Sequence, residues 1–382
     1  MGHLGEIVGC NPVHLCPSVV FGVSAGYGQD RGRGDVVVGG AVAGIVANPV
    51  SGRDIRRLGA WASVFPADGR AGLVQRLLSA FAVAGVRRVL VSTDRGGISA
   101  AVLRALGRES AARPEVEFCE QDPFTGCAQD TVDAVRWMVD AGASVIVCLG
   151  GDGTARVAAS VCGDVPLLAL FTGTDNAFPQ MREATVAGLA AGLVATGKVD
   201  VDLVAERVSV LEVVTKNRRA IALVDVAVTM SKHVGAEASG EPAALTELYC
   251  TFAEPDGIGL SSVAGQLCPS PRSSPDGVAL QLGPADECAN VVHALIAPKL
   301  VRPIGVRGWS VLRPGVRVDL AADGGVIAVD GARELELKNG EGAYVELRSD
   351  GPWCVDVRAV MAEAATQGLL RDASGPRNER RR

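Results

Sequence analysis

The segment Ala143 to Leu149 (ASVIVCL) is apolar without alternation and runs directly into Gly150-Gly151-Asp152-Gly153-Thr154, after which Ala155 to Val161 takes helical spacing. A strand with no polar face belongs in the centre of a parallel sheet that is covered by helices on both sides. Parallel neighbours must be joined by crossovers, and the chain supplies them. Strands are predicted at Ala41 to Ala47, Arg87 to Ser92, Glu115 to Cys119 and Leu167 to Phe171, alternating with helices at Gly72 to Ala84, Gly97 to Leu106, Gln129 to Ala141 and Glu183 to Thr196. That alternation specifies βαβ units in an open parallel sheet.

The pattern changes between Lys198 and Leu347. Its segments are short and β-like (VDVDLVA, VSVLEVVT, AIALVDVAVT, GVALQL, RVDLAA, GVIAVD, AYVELR), punctuated by Gly, Pro and Asp, which reads as a second, β-rich domain. A closing strand, Trp353 to Val357, and a helix, Arg358 to Gly368, are of the first type and are expected to pack back on the first domain. The expected organisation is an α/β domain over 41–197, a β-rich domain over 198–347 and a returning strand and helix over 348–370. Residues 1–40, without periodicity, and 371–382 are expected to be a disordered extension and tail. The 382 residues, 48% of them hydrophobic, are enough for two cores.

Composition removes several function classes. A net charge of −6 with only Phe 8, Trp 4 and Tyr 3 argues against a nonspecific nucleic-acid binder. The Cys 10 are scattered without a Cys-x-x-Cys pair, and the four histidines (His3, His14, His233, His293) form no ligand pattern, so no structural transition metal is expected and the thiols read as small buried hydrophobes of a reducing cytoplasm. The longest uncharged stretch, Ile7 to Gln29, is broken by Asn11, Pro12 and Pro17, and reads as neither a signal peptide nor a membrane span.

Chemistry concentrates in three loops that follow strands of the first domain. Gly150, Gly151 and Gly153 allow positive φ and close approach of backbone N–H groups to an anion. Thr154 suits the cap of the following helix, whose N-terminus favours phosphate. An ordinary strand–turn–helix corner explains these glycines but not Asp152, whose carboxylate repels bare phosphate unless a cation is present or it acts on a proton. The other two loops are Asn48-Pro49-Val50-Ser51-Gly52 and Thr172-Gly173-Thr174-Asp175-Asn176-Ala177-Phe178-Pro179. Loops at the carboxyl ends of an open α/β sheet share one crevice, and three of them make a polyphosphate nucleotide the natural guest. Asn48, Ser51, Gly52, Gly150, Gly151, Gly153, Thr154, Gly173, Thr174 and Asn176 are the candidate nucleotide residues, with Asp152 the candidate catalytic one.

In order, NPVSG, GGDGT, GTDNAFP and a C-terminal VDG resemble the NAD kinase/diacylglycerol kinase superfamily, and within it the ATP-NAD kinase family, in the branch of acetoin-catabolism X proteins. The resemblance implies a Rossmann-like α/β nucleotide-binding domain followed by a β-rich domain, with the active site between them. It further implies Mg-dependent phosphoryl transfer from ATP, or another phosphate donor, to a hydroxyl, NAD being the default acceptor and NADP the product. By resemblance Asp152 serves as a base or orders nucleotide and metal, Mg arriving with ATP rather than on a structural site. Asp225 falls in the acceptor motif, where Val224 replaces an asparagine, so restoring Val224→Asn is expected to improve NAD use. Asp256 and Gly257 fall in an acceptor loop that has lost most of its hydroxyls, and Asp330 matches the aspartate of a DG pair shared with lipid-kinase relatives, although Ala332 follows Gly331 where those have glutamate. Three readings follow: a NAD kinase-like enzyme; a kinase of a sugar, polyol or lipid headgroup; and a noncatalytic nucleotide-binding regulator. The expected partners are ATP and a small-molecule acceptor, with neither nucleic acid nor membrane, and homo-oligomerisation is left open.

Overall fold

The computed structural model describes residues 40–49, 67–107, 113–120, 124–172, 176–230 and 245–371. Ser51, Gly52, Gly173 and Thr174 lie outside the described residues, as do residues 1–39 and 372–382 of the expected extension and tail.

The first layer is built from β1 (Val42–Ala47), α1 (Ala67–Ala84), β2 (Arg88–Val91), α2 (Ile98–Leu106), β3 (Glu115–Phe118), α3 (Ala128–Asp140), β4 (Val145–Gly150), α4 (Asp152–Ala159), β5 (Leu167–Phe171) and α5 (Ala184–Ala195). The strands are parallel in the order β3-β2-β1-β4-β5, so the winding reverses between β1 and β4. Along β1, Ile45 and Ala47 face one core with Leu77 and Phe81 of α1, while Val46 faces the other with Val135 and Met138 of α3. Both faces are therefore covered, which is why β4 reads as continuously apolar. Burying side chains such as Leu77 and Phe81 stabilises the domain by about 1.5–3 kcal/mol each. Helices α1 and α5 approach closely because α5 presents Gly188 and Gly192; a Cβ there would stand 2.8 Å from Ala80 Cβ and 2.5 Å from Ala84 Cβ, respectively.

After α5 the chain makes a short helix, α6 (Val201–Val204), and then β6 (Ala205–Arg207). VDVDLVA is thus not a strand. The Asp200 carboxylate accepts from Asp202 N at 3.1 Å, capping α6, and Leu203 points to solvent.

The antiparallel part comprises β7 (Val210–Thr215), β8 (Arg219–Ala222), β9 (Asp225–Thr229), β10 (Leu245–Cys250), α7 (Ser261–Gly265), β11 (Gly277–Gly283), β12 (Asn290–Ala297), β13 (Leu300–Leu312), β14 (Arg317–Asp319), β15 (Gly325–Val329), β16 (Ala332–Leu337) and β17 (Ala343–Arg348). They form a seven-stranded sheet, β12-β13-β11-β10-β9-β15-β16, and a four-stranded sheet, β14-β17-β7-β8. The two pack face to face through Leu211, Val213, Val345 and Leu347 on one side and Tyr249, Ile327 and Val329 on the other. The chain then returns as β18 (Trp353–Val355), which lies between β5 and β6 in the first sheet, and α8 (Val357–Gln367), which packs on the α1–α5 core.

The run AIALVDVAVT looks like one strand but is two, β8 in the four-stranded sheet and β9 in the seven-stranded one. The break at Leu223 and Val224 is made by a residue far along the chain. Asp330, in the left-handed region at φ 48°, turns its carboxylate to accept from Leu223 N at 3.0 Å, Val224 N at 2.8 Å and Asp225 N at 3.1 Å. Gly331 follows at φ 73°, where only glycine is unstrained.

Candidate functional site

The reversal between β1 and β4 places the ends of those strands side by side, with Ala47 opposite Leu149. Such a switch point opens a crevice at the carboxyl edge of the sheet. Asn48 closes its floor: its N–H donates to Leu149 O at 3.0 Å, and its Nδ2 donates to Thr154 Oγ1 at 2.8 Å. Thr154 therefore holds the β1 loop and does not cap the helix, which starts at Asp152 with Gly151 as N-cap.

The glycines of the turn serve proximity rather than left-handed backbone. Gly151 has φ −100°, and Gly150, Gly151 and Gly153 are absent from the positive-φ glycines. A Cβ on Gly150 would stand 2.5 Å from Thr154 Cβ, and one on Gly151 2.6 Å from Asn176 Oδ1. Nothing stands within 4 Å of a Cβ on Gly153. Asn176 is thereby pressed onto the turn, with its buried Nδ2 lacking any hydrogen-bond partner among the described residues. Asp152 reaches the same loop: its carboxylate accepts from Ala177 N at 3.1 Å and Phe178 N at 2.8 Å.

The β-rich domain meets this crevice through an apolar seam of Ala155, Ala169, Phe178, Val210, Leu223, Val224 and Phe252. Beside the seam, Arg156, one turn beyond Asp152 on α4, lies with its Nε 3.7 Å from Asp330 Oδ2, both side chains buried. Burial pushes the Asp330 carboxyl above its ordinary value, opposed by the Arg156 charge and the three amides. Asp225 is buried at the start of β9 opposite Cys250, whose thiol is pushed well up by burial and by the Asp225 charge.

Asp256 sits at the exposed tip of a turn closed by Gly257 N donating to Glu254 O at 3.0 Å. It connects to the crevice indirectly, through Glu254 and Arg272, whose Oε2 and Nε lie 3.5 Å apart. Arg272 also donates to the carbonyls of Ala177 and Phe178. The structure thus gathers Asn48, Gly150, Gly151, Asp152, Thr154 and Asn176 in one crevice and joins Asp225 and Asp330 at its edge. Arg156 and Arg272 escape sequence reasoning. Only Arg156 carries a local signal, a cation four residues after Asp152 on the same short helix.

Among the described residues no three His, Cys, Asp or Glu side chains gather to hold a metal ion, and no helix is long and apolar enough to cross a membrane.

The fold and the family model define an α/β domain of NAD kinase type: residues 44–199 match the ATP-NAD kinase N-terminal domain. Residues 209–350 match the acetoin catabolism protein X C-terminal domain. The chain is 39% identical over 343 residues to acetoin catabolism protein X of Cupriavidus necator, covering 88% of this chain and 95% of that protein. It belongs to the acetoin catabolism protein X family. Solved structures with some similarity include a yeast NADH kinase complexed with NADH (15% identity, TM-score 0.44, covering 90% of this chain and 91% of that one). An NAD kinase from Archaeoglobus fulgidus in complex with ATP is also similar (15% identity, TM-score 0.36, covering 75% and 100%).

Proposed function

We propose that the chain is a phosphotransferase that moves the terminal phosphoryl group of a nucleoside triphosphate, ATP by default, to a hydroxyl of a small-molecule acceptor, with NAD the default acceptor. The observation that carries this reading is the buried Nδ2 of Asn176, a donor with no partner among the described residues, on a side chain held against Gly151 at the switch-point crevice. A buried donor without a partner costs about 1–3 kcal/mol, and a phosphate or ribose oxygen would satisfy it. The Asn48–Thr154 bond and the close-packed glycines support the same crevice as the nucleotide site.

In this reading the acceptor oxygen bonds to the terminal phosphorus as the bond to the bridging oxygen breaks, and the acceptor's proton passes to Asp152. Each Asp152 oxygen accepts one loop amide, which aims the carboxylate at one point of the crevice. The two amides hold the carboxylate in one orientation, so catalysis is mainly positioning and charge neutralisation. Magnesium bound with a nucleotide keeps several waters and takes only one or two carboxylates from the protein. Asp152, at the head of the glycine turn, is the residue that would hold it; Asp330 is turned instead to three amides and Arg156. When bound, the ion would neutralise charge on the phosphates.

A second reading, a noncatalytic nucleotide-binding regulator, is favoured by the same pair of amide bonds, since a carboxylate that only locks the 176–179 loop would need no further role. The two are separated by assaying the full chain for ADP release and phosphorylated product with Mg-ATP and a panel of hydroxyl acceptors, NAD first. Product that disappears in Asp152→Asn supports the phosphotransferase. Nucleotide binding without product from any acceptor supports the regulator.

A further inference from the structure

Arg272 lies between α7 and β11, yet its guanidinium crosses to the first domain. Its Nη1 donates to Phe178 O at 2.6 Å and its Nη2 to Ala177 O. The amides of the same two residues donate to Asp152. One dipeptide is thus held by its N–H edge to a carboxylate and by its C=O edge to a guanidinium, and the opposite charges polarise the peptides between them.

The guanidinium is itself fixed. It lies 4.5 Å from the Phe252 ring centroid and 5.7 Å from that of Phe178, and its Nε is 3.5 Å from Glu254 Oε2 at the head of the turn closed by Gly257. Arginine's planar fork suits two adjacent carbonyls and a ring face together, which an ammonium does not.

The geometry points to Arg272 as a positioning residue that holds the Ala177–Phe178 peptides against Asp152 and ties that contact to the Glu254–Gly257 turn of the β-rich domain. Its kinetic consequence rests on the phosphotransferase reading; its structural consequence does not. A residue acting this way sets the placement of the Asp152 carboxylate, so its loss falls on turnover more than on nucleotide affinity. A residue that only glued the domains together would weaken the whole molecule evenly.

The test compares full-length wild type, Arg272→Lys and Arg272→Met by residue-resolved hydrogen exchange and by steady-state kinetics. In Arg272→Met the Ala177 and Phe178 amides are expected to exchange about tenfold faster or more, as a lost local hydrogen-bond clamp requires. Exchange in β4 and β10 stays as in wild type, and Arg272→Lys is intermediate. In the kinetic arm kcat falls about tenfold or more while the nucleotide KM stays within about threefold. Unchanged protection at Ala177 and Phe178, or faster exchange spread equally over β4 and β10, overturns the assignment. If wild type transfers no phosphoryl group, the phosphotransferase reading fails while the exchange arm still decides the role of Arg272.

Discussion

Val224→Asn tests the join between the two domains. The family resemblance makes an asparagine here a gain for NAD binding, but the structure turns the Val224 side chain into the apolar seam with Phe178, Leu223 and Phe252, 2% exposed. The backbone of Val224 is already satisfied, its N–H by Asp330 at 2.8 Å and its carbonyl by Thr251 N at 2.9 Å. The substitution therefore alters only what the seam buries. Removing the valine surface forfeits up to about 1.5–3 kcal/mol, and an amide buried without partners adds roughly 1–3 kcal/mol. The total, about 2.5–6 kcal/mol, is a large share of the roughly 5–15 kcal/mol by which domains are stable. Urea unfolding of the full chain, followed by fluorescence, reads the change directly. The expected result is a loss of unfolding free energy of that size with no gain in NAD phosphorylation. A loss below about 1 kcal/mol, or unchanged stability with improved NAD use, would refute the placement of this side chain.

Three further outcomes are expected. Asp152→Asn should lower kcat by about 10²–10⁴, the usual worth of proton transfer by a positioned group, and turnover within about threefold of wild type would remove Asp152 from the reaction. Asp330→Ala leaves three amides without their acceptor, removes a buried counter-charge of Arg156 and should cost about 3–5 kcal/mol in urea unfolding. Because burial raises the Asp330 carboxyl in the folded state, the stability linked to its proton is full below about pH 4 and lost as pH rises through the raised value. Asp330→Asn should abolish that slope. Burial raises the thiols of Cys119 to about 11, Cys162 to about 12 and Cys354 to about 12. These cysteines should resist iodoacetamide at about pH 8 in the native chain and react on unfolding, as peptide mass spectrometry would show.

The parallel domain was the most legible part of the sequence, since strands covered on both faces are written as unbroken apolar runs and Leu167–Phe171 falls where its pattern puts it. The antiparallel domain was less so. β13, Leu300–Leu312, carries Pro303, Gly305 and Gly308, which interrupt its β pattern, and it persists because β11 and β12 pair with it from both sides. The break between β8 and β9 has no local cause, for it is imposed by Asp330, more than a hundred residues on. Within the crevice, the glycine turn announced itself, but its partners did not. The Asn48–Thr154 bond spans 106 residues and the Arg272–Phe178 bond 94, separations at which periodicity carries no signal.

The central claim is that nucleotide phosphates bind where Gly151 lets Asn176 close on the turn. Gly151→Ala tests it without disturbing the cores, because a methyl 2.6 Å from Asn176 Oδ1 displaces a side chain rather than backbone. Isothermal titration of Mg-ATP into wild type and Gly151→Ala, with unfolding midpoints as control, should show saturable binding to wild type. The variant should bind at least about tenfold more weakly, the worth of one lost partner, at nearly unchanged stability. Equal affinity in the two proteins would place the nucleotide elsewhere and contradict the account.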